Sequence, residues 1–168
     1  MYFKQININN LAEIQSDVLE NLPTEAKTMH GVMPFWHNNL FHLPSIQSAI
    51  HELNLQGVAN YICVVGMSPH TELPVHFDGG KNKAALNIPI LNCKGTYTTW
   101  YTSTQTAIEY PHHGAATYHG VDKESCTELA RTEMNSPIII NVQQFHSAIN
   151  PHDTWRLLIS IRLSEYQF

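Results

Sequence analysis

The chain has 168 residues, nine Lys+Arg against fourteen Asp+Glu for a formal net charge of −5, and 43% hydrophobic residues. That length predicts one domain that can bury a core without disulfide or zinc staples, and the hydrophobic share excludes a disordered chain. The acidic balance, with no Lys/Arg stripe, argues against a duplex nucleic-acid binder, and no apolar run approaches the roughly 18 residues of a membrane span.

The opening MYFKQININN has no charged segment followed by an apolar one, so no secretory signal is expected. Cys63, Cys93 and Cys126 are far apart and form no CxxC. They read as reduced packing thiols of a cytoplasmic protein. The first predicted element is a helix with Leu11, Ile14, Val18, Leu19 and Leu22 on one face; Asn10 can cap it with Glu13 as the return partner, and Pro23 closes it. A second helix starts at Pro44, suited to a first helical position, and carries the stripe Ile46, Ala49, Ile50 and Leu53 before Gly57.

From residue 58 the texture changes. VANYICVVGM, AALNIPIL, GTYTTWYT, PIIINV and RLLISIRL are short, β-branched or aromatic, and separated by Pro, Gly, Asn and Ser. Strands that do not alternate with helices predict an antiparallel sandwich or barrel rather than a parallel sheet. The expected organisation is therefore mainly β, with residues 1–57 as helical support and 58–164 as the β-barrel core. Residues 103–126, including His112-His113-Gly114, are the least patterned and read as a long loop or a weak hairpin.

Eleven histidines in a chain with 14% charged residues call for sorting, because histidine is the commonest metal ligand. In Val75-His76-Phe77-Asp78-Gly79-Gly80, His76 and Asp78 leave the same face of an extended segment, and the glycines permit a sharp turn after them. A second histidine from a distant strand would complete a two-His, one-carboxylate set. Such a set occupies one face of an octahedral ion and leaves the rest open, as in non-haem Fe(II) oxygenases. His146 is the candidate, read as ending the β-forming run from Pro137. His152 is its rival, but lies in the turn-like Asn150-Pro151-His152-Asp153. Ten residues after His146, Arg156 opens a segment whose alternation puts Arg156, Leu158, Ser160 and Arg162 on one face and Leu157, Ile159, Ile161 and Leu163 on the other. An inward guanidinium there needs an anion, and a dicarboxylate would supply one.

Taken together, His76-x-Asp78, His146 seventy residues on and Arg156 in the final strand resemble the Fe(II) and 2-oxoglutarate-dependent oxygenases. The His146-to-Arg156 step, the FHSAIN and WR segments and the strand Ala84–Ile90 are most similar to the aspartyl/asparaginyl β-hydroxylase branch. The resemblance implies a double-stranded β-helix, a cupin-like jelly roll, over about 58–164 with accessory N-terminal helices. It further implies Fe(II) on His76, Asp78 and His146, and 2-oxoglutarate with its far carboxylate on Arg156. With O2 as cosubstrate, the expected reaction is hydroxylation of an unactivated C–H in a small polar, amino-acid or peptide substrate. Two departures stand out. Asp78 is present although some members of the branch lack that carboxylate, and its presence argues against a halogenase; Leu158 replaces the Ser of the Arg-x-Ser pattern. A further partner for the far carboxylate is then needed, with Asn87 the candidate and Tyr61 and Trp100 weaker ones. His112, His113 and His119 read as loop surface or substrate contacts, with a second metal site as the alternative. A non-catalytic jelly-roll module binding a metal or small molecule is the competing reading. The oligomeric state is left open.

Overall fold

The computed structural model describes residues 1–33, 37–111 and 117–168. In chain order the elements are β1 (Phe3–Gln5), α1 (Leu11–Asn21), β2 (Gly31–Met33), α2 (His37–Phe41), α3 (Pro44–Glu52), β3 (Ala59–Met67), β4 (Thr71–Glu72), β5 (His76–Asp78), β6 (Asn82–Leu91), β7 (Tyr97–Ser103), β8 (Ile108–Pro111), β9 (Thr117–Gly120), β10 (Cys126–Glu133), β11 (Ile138–Asn141), β12 (His146–Asn150) and β13 (Arg156–Ser164). The strands form two antiparallel sheets, one in the order β1-β11-β6-β13-β3-β2 and the other β10-β7-β12-β5-β9-β8, with β4 also paired to β12. The chain is mainly β, and the expected jelly-roll architecture is the observed one. None of the described helices is long and apolar enough to cross a membrane.

The first sheet separates two apolar layers, and strand periodicity decides which residue enters which. On β13, Leu157, Ile159, Ile161 and Leu163 point outward into the layer with Ile14 and Val18 of α1 and Ile46, Ala49 and Ile50 of α3. Leu158 points inward to the layer with Ala85, Trp100, Ile138 and Ile140. Burial of both faces explains why the run is nearly continuous in hydrophobicity. The helices therefore brace one sheet from outside and leave its inner face to the polar members of the alternation.

The N-terminal region is less purely helical than its periodicity predicts. β1 pairs with β11 and β2 with β3, so residues before 58 supply both edge strands of the first sheet. Three-residue strands carry too little alternation to be read locally. The expected capping box at Asn10 is also not formed. Its amide donates to the Ser45 carbonyl at 3.0 Å, tying the start of α1 to α3 instead. Within the unpatterned stretch β8 pairs antiparallel with β9; His112 and His113 lie outside the described residues. Cys63 and Cys93 are buried free thiols and Cys126 is partly exposed.

Candidate metal centre

Alternation along β5 turns His76 and Asp78 inward, each 8% exposed, while Phe77 takes the opposite face and stacks on His119 at 4.8 Å. The turn after Asp78 uses Gly80 at φ +85°, a conformation that a side chain would strain. His146 stands directly across from His76 in the register of β12 with β5, and their ring centroids lie 4.5 Å apart. One ligand atom from each of His76, Asp78 and His146 falls within 4.8 Å of the others, so the three form a candidate metal site.

The placement of His146 differs in detail from its sequence reading. The apolar run does not continue to residue 146: β11 stops at Asn141, whose side-chain oxygen accepts the Gln143 N–H at 3.0 Å. This Asx turn reverses the chain, and His146 opens β12 rather than ending a strand. The turn is pinned to the end of β5. The Asp78 N–H donates to the Val142 carbonyl at 2.8 Å, and the Gln143 amide donates to the carbonyls of Asp78 at 3.2 Å and Asn82 at 2.8 Å. Two remote segments are thus locked together at the point where their side chains meet.

Backbone carbonyls orient both imidazoles. Nδ1 of His76 lies 2.7 Å from the Pro74 oxygen, and Nδ1 of His146 lies 2.9 Å from the Gln144 oxygen. A carbonyl only accepts, which assigns the hydrogen to Nδ1 and leaves each Nε2 with a free lone pair, the tautomer a metal requires. Burial, together with the neighbouring His146 ring, pushes the His76 imidazole down to about 4. Burial likewise lowers His146. For Asp78, burial acts upward, but the Arg162 guanidinium and the two imidazoles outweigh it and hold the carboxyl below its usual range. At neutral pH the site therefore presents two neutral imidazoles and one carboxylate, as metal binding demands.

Arg162 was legible as an inward residue but not as the partner of Asp78. Its guanidinium pairs with Oδ2 of Asp78, while Oδ1 sits 3.6 Å from His76 Nε2. Tyr118, on β9, meets the His76 ring edge-on at 4.4 Å. Alternation along β13 was the signal for Arg162; Tyr118 had none, because it lies in the unpatterned stretch.

Arg156 is 1% exposed and begins β13 as expected. Its Nη1 donates to the Met67 sulfur at 2.7 Å, and its Nε has no partner. Among the described residues no carboxylate pairs with it; Asp153 instead meets His70 at 2.6 Å. Asn87 stands opposite Ser160, buried, with its side-chain oxygen unpartnered. His76, Asp78, Asn87, His146 and Arg156 all line one cavity of about 60 Å³, together with Thr98, Leu158, Ser160 and Arg162. The weaker candidates fall away from it. The Trp100 indole donates to the Asn141 carbonyl at 3.1 Å within the inner apolar layer, Tyr61 does not line the cavity, and His152 sits in its turn against the Lys94 carbonyl at 2.8 Å.

The buried imidazoles make a pH prediction for the metal-free protein. His76 has a folded value of about 4 against an ordinary 6.5, so between those values the unfolded chain takes up a proton that the folded chain refuses. The contribution is complete above pH 6.5 and is lost as pH falls towards 4, about 3 kcal/mol at most for this one group; His146 acts in the same direction. Urea titrations of metal-free protein are expected to show a clearly lower midpoint at pH 5 than at pH 7.5. An unchanged midpoint would mean that the imidazoles are not buried as described.

No protein-family model and no curated protein matches the chain. Among solved structures it is similar to AviO1 from Streptomyces viridochromogenes Tue57, with 14% identity over 98% of this chain and 90% of that one and a TM-score of 0.50. It is similar also to EvdMO1, with 13% identity, 99% of this chain and a TM-score of 0.51, although it spans only 48% of that chain. ThoJ, a non-heme monooxygenase, aligns at 13% identity over 96% of this chain and 73% of its own with a TM-score of 0.44. At these identities the likeness to the first two is one of fold.

Proposed function

We propose that the chain is a non-haem Fe(II) and 2-oxoglutarate-dependent oxygenase that hydroxylates an unactivated C–H bond, near the aspartyl/asparaginyl β-hydroxylase branch of that superfamily. The observation that carries this reading is the cavity in which a two-His, one-carboxylate set faces a fully buried guanidinium with no carboxylate partner among the described residues. His76, Asp78 and His146 would hold the metal, and their donor set suits Fe(II) with open positions. Arg156 would take the far carboxylate of the keto acid. The unpartnered Nε of Arg156 and amide oxygen of Asn87 in the same cavity support a polar occupant there. Bound iron and keto acid supply the oxidising power, converting R–H, O2 and 2-oxoglutarate to R–OH, succinate and CO2.

The chain's own part is geometric and electrostatic. The Pro74 and Gln144 carbonyls aim the imidazoles, and Arg162 engages one oxygen of Asp78 so that the other faces inward. Leu158 and Ile140 line the cavity with apolar surface that limits water. Arg156 would orient the far carboxylate of the keto acid by charge.

The test is succinate formation. Protein supplied with Fe(II), ascorbate and 2-oxoglutarate in air is expected to release succinate slowly even without substrate. An absence of succinate, with no change in the visible spectrum when 2-oxoglutarate is added to the anaerobic Fe(II) protein, would favour the non-catalytic binding module.

A further inference from the structure

We propose that a cleft of about 520 Å³ beside the metal centre is the substrate site and that it takes a neutral, largely aliphatic small molecule, an inference that rests on the oxygenase reading above. The volume lies within the usual range for small-molecule sites. His76 and Tyr118 line both this cleft and the metal cavity, as do Val32, Val65 and Leu73, so an occupant of the cleft borders the candidate ligands directly.

The chemistry of the described walls is one-sided. Val32, Val65, Leu73, Pro74, Val75 and Val121 contribute aliphatic surface, and Gly31, Gly66 and Gly120 add none of their own charge. Of the described lining residues three are charged, Glu72, Asp122 and Lys123, and all three are exposed. Lys123 pairs with Glu72, whose carboxylate also accepts the Ser147 hydroxyl at 3.5 Å. Asp122 accepts the Gln105 amide at 3.3 Å, and its own N–H donates to the Gln105 side-chain oxygen at 3.1 Å. A charged ligand group laid against the aliphatic walls would lose its water there without meeting a buried counter-charge, whereas an alkyl chain loses nothing by leaving water. The net charge of the chain pointed only away from nucleic acid. The walls of the cleft select further, against the polar or peptide substrate that the sequence suggested.

Calorimetry on the full chain, with and without Co(II) and saturating 2-oxoglutarate, tests this with 1-hexanol, 1-octanol, octanoate and octylammonium as probes. Affinity is expected to rise roughly fourfold for each methylene from hexanol to octanol. Octanoate and octylammonium are expected to bind at least about tenfold more weakly than octanol, since the aliphatic walls hold no counter-charge and the three charged residues are exposed to water. Val121→Trp should abolish octanol binding while Co(II) still binds; Leu73→Trp, from a different wall, repeats the test should the first variant fail to fold. Co(II) should broaden the proton resonances of bound octanol. Tighter binding of either ion, no octanol binding, or octanol binding unaffected by both tryptophans would overturn the ligand class or its place. Sharp octanol lines in the Co(II) protein would overturn the substrate assignment. Failure of Co(II) or 2-oxoglutarate to bind, with octanol binding intact, would overturn the oxygenase reading and leave the ligand class standing.

Discussion

His146→Ala is expected to reduce affinity for Fe(II), or for Co(II) as its air-stable substitute, by at least about 100-fold, since even outer partners of a metal ligand are worth 10- to 100-fold. The loss should come with little change in folding, because the hydrogen bond described for the side chain goes to the Gln144 carbonyl, and burial lowers rather than raises its affinity for a proton. His76→Ala should behave alike. Asp78→Ala should lose the metal equally but also destabilise the fold by about 3 kcal/mol, because it leaves the Arg162 guanidinium buried without its carboxylate. Metal titration followed by calorimetry and urea unfolding on the same samples separates the two effects. One-to-one metal binding retained by any of the three variants would show that the ion is held elsewhere. Equal stability of the Asp78 and His146 variants would show that Arg162 does not depend on Asp78.

Arg156→Met is expected to weaken 2-oxoglutarate binding by about 100- to 1,000-fold, the loss that follows when one partner of a buried charge pair is removed. Metal affinity should stay within about threefold of the parent, since Arg156 is not among the residues whose ligand atoms converge. The ligand-free variant should at the same time be more stable by about 1–3 kcal/mol. Burial already drives the Arg156 guanidinium below its usual range, and no carboxylate among the described residues repays its desolvation. Methionine beside Met67 would fill similar space at no such cost. Opposite signs for binding and stability are the signature of a functional cation; a merely structural arginine would lose both. The control is Arg162→Met, which should lower metal affinity about tenfold through Asp78 while sparing the keto acid. Keto-acid affinity that follows Arg162 instead of Arg156 would reassign the anion partner.

The local pattern of residues carried much of the site. Period-two alternation is a property of the extended backbone itself, so the division of β13 into a helix-facing row and an inward row from Arg156 to Arg162 was legible without any partner strand. The same rule put His76 and Asp78 on one face and left Phe77 on the other. Pro44 marked its helix for an equally local reason, the fixed φ of the ring. His119 shows the limit of composition as a guide: it belongs to a cluster of histidines in the chain, but alternation across β9 turns it to Phe77 and away from the metal centre.

Non-local pairing decided the rest. The edge strands β1 and β2 are three residues long and exist only because β11 and β3 offer them open edges. Asn10 leaves its expected cap: its amide donates to a carbonyl 35 residues away, and its side-chain oxygen accepts from none of the helix N–H groups. That Asp78 belongs to Arg162, and that no described carboxylate reaches Arg156, depends on the stagger of β13 against β3 and β6 and on the Asx turn that sets His146 opposite His76. Residue spacing along one strand determines direction, whereas the distance between side chains on different strands depends on register. Register is set by hydrogen-bonded pairing across the whole sheet, which no single segment encodes.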